Sequence, residues 1–172
     1  MDKGLLTGGI FLDLSKAFDM IDYSILKTKL KSIGIRGCAY SWFEDYLSGR
    51  TQTVCLNGSN SEEMSMRTGV QQGSVLGPLL FLIFINDLPN SIKHCKIVLY
   101  ADDTAIFFAH KELPVIQSTL QQDLNALNDW FNENGLVVNC SKTNILLFGS
   151  NKRLANVDNL TLMLDELLHL IT

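Results

Sequence analysis

The chain has 172 residues, of which 47% are hydrophobic and 19% are charged. This composition predicts one compact domain with a real core, and the charged fraction is too low for a disordered tail. The net charge of -4 and the isoelectric point near 5.3 provide no basic surface of the kind on which electrostatic nucleic-acid binding usually depends.

The first third of the chain predicts a strand followed by two helices. The apolar run Gly9 to Leu12 is a short strand candidate that leads directly into Asp13. Asp22 is a candidate N-cap for a helix that stops at Gly34. The apolar residues at helical spacing on one face of this helix are Ile25, Leu26, Leu30 and Ile33. A second helix is predicted from about Ala39 to Leu47, ended by Gly49.

The middle of the chain predicts a hairpin and a buried helix. Residues 51–56 are β-like, Asn57-Gly58 is a strong two-residue turn signal, and the return strand is expected near residues 63–66. A glycine-rich loop over residues 68–78 then precedes an apolar helix from Leu79 to Leu88, with Pro78 suited to its first turn.

The last third predicts a hairpin, a long helix and two strands. The segment YADD, residues 100–103, lies between two β-like segments and reads as a hairpin tip. An amphipathic helix opens at Leu113-Pro114 and closes at Asn134-Gly135. Its apolar stripe consists of Ile116, Leu120, Leu124, Leu127 and Phe131. Residues 136–138 and 145–148 read as a final pair of strands. This order favours an α+β domain, with an antiparallel sheet covered on one face by helices.

Two acidic sites fall at strand ends or turns of this sheet. Asp102 and Asp103 are adjacent carboxylates on a tight turn, which suits either a divalent cation or an ordinary solvated turn. Asp13 is far away in sequence, but adjacent strands would bring it beside Asp102. Two Mg²⁺ ions bridged by such carboxylates can activate an attacking oxygen and neutralise a leaving one in phosphoryl transfer.

Other classes of site find no support in the sequence. The four cysteines show no C-x-x-C spacing, and the three histidines share no spacing with the carboxylates. No secretory signal is visible, and the apolar run from Val75 to Ile85 is too short to span a bilayer. We therefore expect an intracellular protein of the cytoplasm or nucleus, without a membrane partner.

Four segments in order resemble the palm motifs A to D of reverse transcriptases, and the resemblance is closest to the polymerases of non-LTR retrotransposons, a class of transposable element. The segments are FLDLSKAFD at 11–19, QGSVLGP at 72–78, YADD at 100–103 and NCSKT at 139–143. The match runs from about Gly8 to Gly149. One departure is Gln71, which stands where the family usually has proline.

The resemblance implies an RNA-directed DNA polymerase palm with a two-metal site. Asp13 and Asp102 would be ligands of two Mg²⁺ ions, for which Mn²⁺ could substitute, and Asp103 would support the same site less directly. Leu14 would offer only its backbone carbonyl. Lys142 would assist the departure of pyrophosphate, although a lone lysine beside a turn is also an ordinary solvated residue.

The resemblance also implies a nucleotide site. Phe18 aligns with the aromatic steric gate that excludes a ribose 2′-hydroxyl, although a core phenylalanine is the plain alternative. Ala17 would allow the nucleotide to approach closely. Gln72 and Gly73 would lie against the incoming nucleotide and template, or form an ordinary turn before a helix. Arg50 could reach a phosphate but is equally a surface charge.

The family implies an RNA template, a DNA primer and a dNTP as partners. Residues 8–149 would be the palm, and residues 150–172 would lead toward a primer grip and thumb that are missing, as are the fingers. Firm nucleic-acid binding would need those parts. The expected function is nucleotidyl transfer to a primer 3′-hydroxyl, with weak or no activity from these 172 residues alone. The alternative is a catalytically silent retrotransposon relic that only folds or associates.

Overall fold

The computed structural model describes residues 4–71, 73–155, 160–164 and 166–169. Helices and short strands alternate along it. In chain order the elements are β1 (Leu6–Leu12), α1 (Tyr23–Ser32), α2 (Gly37–Leu47), β2 (Thr51–Gln52), β3 (Cys55–Leu56), β4 (Ser59–Asn60), β5 (Met64–Ser65), α3 (Leu76–Ile85), a 3₁₀ turn (Leu88–Ser91), β6 (Lys96–Tyr100), β7 (Asp103–His110), α4 (Leu113–Glu133), β8 (Asn144–Phe148), α5 (Asn151–Leu154), β9 (Thr161–Leu164) and β10 (Glu166–His169).

The chain divides into two compact units, although its composition predicted one. Residues 1–17 and 87–172 form the first unit, and residues 18–86 form the second. The first unit contains a four-stranded antiparallel sheet with the strand order β6-β7-β1-β8. Strand β1 is therefore an interior strand, paired with β7 on one side and β8 on the other. This arrangement confirms the predicted mixture of helices with an antiparallel sheet.

The two faces of this sheet differ in character. Alternate residues of β1 point to opposite faces, and its buried residues Leu6, Ile10 and Leu12 lie on the face that α4 covers. The predicted apolar stripe of α4 is confirmed, because all five of its members are buried. On the other face, the rings of Phe11 and Phe107 meet edge to face at 5.5 Å.

Gly8 allows α4 to lie directly against β1. A Cβ atom at this position would come within 2.6 Å of both Ile116 Cγ2 and Leu120 Cδ1. Those two side chains are fully buried, so they could not move aside without a shift of the helix. At Gly9, on the opposite face, a Cβ would instead meet the ring of the half-buried Phe107 at 2.8 Å.

The predicted strand over residues 136–138 is wrong. Only Val138 pairs, through a single bridge to Leu14, although β8 forms where the other strand was expected. The segment runs beside residues 13–15, which lie beyond the end of β1, so it finds no strand along which a longer ladder could form. Apolar β-branched residues predict extended backbone, but they do not predict a partner.

A buried carboxylate ties the segment just before β6 to α4. Asp123 is 2% exposed, and its oxygens accept hydrogen bonds from the backbone N–H groups of Lys93, His94 and Cys95 at 3.2, 2.9 and 2.6 Å. Burial alone would raise the pKa of Asp123, but these hydrogen bonds outweigh it and lower the pKa from 3.8 to about 2.

In the second unit, α1 packs against α2 and α3. The predicted N-cap is confirmed, because the Asp22 carboxylate accepts hydrogen bonds from the N–H groups of Ser24 and Ile25 at 2.7 and 3.1 Å. The apolar face is wrong at its last member, since Ile33 lies past the final helical residue and is 49% exposed.

The predicted hairpin forms the centre of a longer ribbon. β3 and β4 are joined by Asn57 and Gly58 at φ 51° and 81°, the two positive values of a type I′ turn. The return strand falls in the predicted range, since β5 pairs with β2.

Helix α3 begins and ends before its predicted bounds of Leu79 and Leu88. Among the described residues, no helix is long and apolar enough to cross a membrane.

The close contact between β1 and α4 predicts unequal effects of two adjacent substitutions. Gly8→Ala should lower the free energy of unfolding by about 1–3 kcal/mol, because the added methyl group collides with two fully buried side chains. Gly9→Ala serves as the matched control and should change stability by less than about 1 kcal/mol, because Phe107 can rotate toward solvent. Urea unfolding of both variants measures the difference, and equal losses would contradict this account.

The Asp123 contacts predict a pH-dependent contribution to stability. Asp123→Asn should cost about 2 kcal/mol at pH 7, because the folded carboxylate has a lowered pKa that the unfolded chain lacks. The contribution is complete above about pH 4 and is lost as the pH falls toward 2. Urea midpoints of the wild type and the variant should therefore converge over that interval. Asp129→Asn, an exposed change on the same helix, should show no such convergence.

Candidate active site

Several carboxylates lie at one end of the sheet of the first unit. The β1–β7 register pairs Leu12 with Thr104, so the next residues outward, Asp13 and Asp103, fall at the same end of neighbouring strands. Asp102 lies in the two-residue turn that joins β6 to β7. The expected proximity of the two acidic segments thus follows from the pairing of β1 with β7.

The turn between β6 and β7 has a strained backbone. Tyr100 pairs with Asp103, so Ala101 and Asp102 are the central residues, and Ala101 has a φ of 52°. This left-handed conformation normally favours glycine and costs an alanine on the order of 1 kcal/mol. The surrounding sheet therefore holds Asp102 in a position that the local sequence does not favour.

The segment that carries Lys142 is attached to the residues around Asp13. The N–H group of Asn139 donates to the Asp13 carbonyl at 2.8 Å, and that of Ser15 donates to the Val137 carbonyl at 2.8 Å. Lys142 Nζ lies 3.8 Å from Asp13 Oδ2. Because the lysine side chain is 69% exposed, this ion pair is weak and can be exchanged for other partners.

A cavity of about 310 Å³ opens beside these groups. Aspartate, lysine and asparagine side chains share it with aromatic and apolar ones. Its lining consists of Phe11, Leu12, Asp13, Val98, Tyr100, Asp103, Thr104, Ala105, Lys142 and Asn144. Such a mixture can hold a ring or sugar against apolar surface and a phosphate or cation against the charged groups. Asp102 is outside this lining.

The donor atoms at this site fit a hard cation. Carboxylate and carbonyl oxygens are the protein ligands that Mg²⁺ prefers, and Mg²⁺ often takes only one or two protein carboxylates. Within the part of the chain that the structure describes, no group of three or more His, Cys, Asp or Glu side chains is assembled for a metal. A cation here would therefore complete its shell with water or ligand oxygens.

The residues predicted for nucleotide contact are divided between the two units. In the first unit, Leu14 and Ala17 are buried. In the second unit, the half-buried Phe18 ring stacks on Phe81 with the centroids 4.6 Å apart and the planes at 26°. Gly73 has a φ of 78°, and Gln72 lies outside the described residues.

Sequence reasoning missed several residues that shape these sites. Phe81 looks like one more core residue of an apolar helix, and nothing in its spacing indicates that Phe18 stacks on it. Val98 and Asn144 line the cavity because their strands flank β7 and β1, which only the strand order shows. Alternation along β8 could have pointed Asn144 to the open face once its register was known.

The family model for reverse transcriptase (RNA-dependent DNA polymerase) matches residues 2–162. The RNA-directed DNA polymerase from mobile element jockey of Drosophila melanogaster is 33% identical over 141 residues, covering 78% of this chain and 15% of that protein. The probable RNA-directed DNA polymerase from transposon BS of the same species is 34% identical over 141 residues, covering 78% of this chain and 16% of that protein.

A solved structure supports the fold. Apo telomerase from Candida tropicalis, truncated from its C-terminal domain, matches 90% of this chain and 32% of its own, with a TM-score of 0.64 at 13% identity. This likeness concerns the fold alone. The match to the family model over most of the chain shows more: the chain belongs to the reverse transcriptase (RNA-dependent DNA polymerase) family, and its relatives are polymerases of non-LTR retrotransposons.

Proposed function

We propose that residues 8–149 are the palm of an RNA-directed DNA polymerase, which transfers nucleotidyl groups from a dNTP to a primer 3′-hydroxyl on an RNA template. One observation carries the proposal. In a chain of this family, Asp13 directly follows strand β1, which pairs with the strand beginning at Asp103, so these two carboxylates line a cavity of suitable chemistry. Similarity to the jockey polymerase supports the same reaction.

The carboxylates would hold the cations of this reaction. Asp13 and Asp102 are the proposed ligands of two Mg²⁺ ions, with Asp103 in a supporting position, the Leu14 carbonyl as a further oxygen donor, and Mn²⁺ as a possible substitute. When bound, the ions would neutralise phosphate charge and lower the pKa of the attacking hydroxyl. Lys142, whose contact with Asp13 is weak, can turn to the departing pyrophosphate and donate a proton or offset its charge.

The proposed nucleotide contacts are Ala17, Phe18, Gln72 and Gly73. Phe18 is the proposed wall against a ribose 2′-hydroxyl, and its stacking on the fully buried Phe81 would keep that wall in place. Ala17 would permit close approach of the sugar. Gln72 and Gly73 would contact the nucleotide and template. Together these residues would select dNTPs, while base pairing with the RNA template would select the base.

A second candidate function is a silent domain that folds or associates without polymerising. Gln71 favours it, because the motif B loop has no proline at that position to fix its backbone.

The proposed metal site predicts the effect of two substitutions on primer extension. With an RNA template, a DNA primer and Mg²⁺, the chain alone should extend the primer only weakly, and Asp13→Asn or Asp102→Asn should lower that rate by about a hundredfold or more. Asp129→Asn, an exposed change on α4, is the matched control and should leave the rate unchanged.

Direct cation binding separates the two candidate functions. Asp13→Asn should weaken Mn²⁺ binding, measured by electron paramagnetic resonance, by about tenfold. Extension that survives both substitutions would refute the site. If the chain shows no extension and no Asp13-dependent Mn²⁺ binding, the silent domain is favoured.

The proposed gate predicts a change in sugar selection. Phe18→Ala should raise the ratio of ribonucleotide to deoxyribonucleotide incorporation by about tenfold or more, because the wall against the 2′-hydroxyl is removed. Phe43→Ala, which removes another half-buried ring from the second unit, is the control for general destabilisation. Unchanged discrimination by an active Phe18→Ala variant would contradict the assignment.

A further inference from the structure

Three groups of the second unit form a closed triangle of hydrogen bonds around one backbone carbonyl. Arg50 Nη1 donates to the Tyr23 hydroxyl at 3.0 Å and to the Gly69 carbonyl at 3.0 Å. The Tyr23 hydroxyl donates to the same carbonyl at 2.8 Å. Tyr23 is 8% exposed, so two of the three contacts lie in or beside the core. Arg50 is therefore engaged by specific partners and is more than a surface charge.

The carbonyl held by this triangle belongs to a segment that is attached along its length. The N–H of Gly69 donates to the Ile21 carbonyl at 2.9 Å, and the N–H of Val70 donates to the Phe18 carbonyl at 2.9 Å. Thr68 forms a bridge with Asp22. The segment 68–70 thus runs beside residues 18–22, and Val70 is bonded to the backbone of Phe18, the proposed gate residue.

Gly69 cannot use a side chain for this attachment. Its φ is 89°, and a Cβ atom would lie 3.1 Å from the Asp19 carbonyl oxygen. The backbone must therefore be held by its own N–H and C=O groups, and the carbonyl is the group that Arg50 and Tyr23 bind. Burial raises the pKa of the Tyr23 hydroxyl, although the Arg50 charge opposes this, so the hydroxyl stays protonated and able to donate at neutral pH.

We propose that Arg50, together with Tyr23, is a positioning residue for the segment 68–70, which leads into the motif B loop. By holding the Gly69 carbonyl, the pair keeps Val70 bonded to Phe18 and so sets the affinity of the loop for an incoming dNTP. The nucleotide part of this inference rests on the proposed function, while the attachment part concerns the fold of the second unit alone.

Amide hydrogen exchange tests the attachment. Arg50→Met and Tyr23→Phe should each speed exchange at Gly69 and Val70 by about tenfold, because a hydrogen bond to a charged or buried group is lost there. Exchange in β7 of the first unit is the internal reference and should not change. Arg50→Lys, which keeps the charge and a donor, should fall between. Arg36→Met, an exposed change in the same unit, is the matched control.

Two exchange results would overturn the attachment. If the amides of Gly69 and Val70 exchange at the wild-type rate in both Arg50→Met and Tyr23→Phe, the triangle does not hold the loop. Equal acceleration of all amides, β7 included, would show general destabilisation without a local role. Because Tyr23→Phe and Arg50→Lys are conservative changes, a failure of Arg50→Met to fold leaves the test intact.

Kinetics test the nucleotide part. Arg50→Met should raise KM for the dNTP by about tenfold with a smaller change in kcat, and Arg50→Lys should recover part of the loss. A fall in kcat at unchanged KM would overturn this part. Lack of extension by the wild type would contradict the proposed function instead. In that event, equilibrium dialysis measures the binding of dTTP directly. A Kd for Arg50→Met equal to that of the wild type would overturn the inference.

Discussion

The contact of α4 with strand β1 at Gly8 is the constraint on which the first unit depends. Because no side chain intervenes, the buried stripe of the helix lies directly on the middle of the sheet. The helix also holds the segment just before β6 through Asp123, and it holds β9 through Gln121, whose side-chain amide exchanges two 2.8 Å hydrogen bonds with the backbone of Met163. One helix thus sets the position of the central strand, an edge strand and a separate hairpin, and through them the end of the sheet where the carboxylates lie.

The functional polar groups of this chain lie on stretches of backbone that strand pairing and hydrogen bonds hold in place. Asp13 follows a strand and is bonded through its carbonyl to Asn139, so its side chain remains available. Asp102 sits in a turn whose strain at Ala101 is tolerated because the paired strands on both sides are long enough to impose it. In the second unit, the Gly69 carbonyl is bound from two directions by Tyr23 and Arg50. In each case the fold fixes the position of the backbone that carries the functional group.

Features with a local cause could be predicted from the sequence. The Asp22 cap, the Asn57-Gly58 turn and the stripe of α4 each depend on residues within a few positions of one another, and each was confirmed. The predicted strand at residues 136–138 failed because pairing needs a partner that composition does not specify. The stacking of Phe18 on Phe81 and the bonds from Arg50 to Tyr23 and Gly69 join residues far apart in sequence, with no local pattern to mark them. Asp123 interrupts an apolar stripe, which was a visible signal, but its three N–H partners lie some thirty positions upstream and only the fold reveals them.

The strand order also governs the timing of assembly. In chain order β1 precedes both of its neighbours, and residue 6 pairs with residue 110 while residue 7 pairs with residue 148. The entire second unit, residues 18–86, is synthesised before either partner strand exists. Until then β1, with its apolar residues and both edges unpaired, is open to pairing with strands of other molecules. Because such nonlocal pairing is slow to form, we expect the closing of β7 and β8 around β1 to be a slow step in the folding of the first unit.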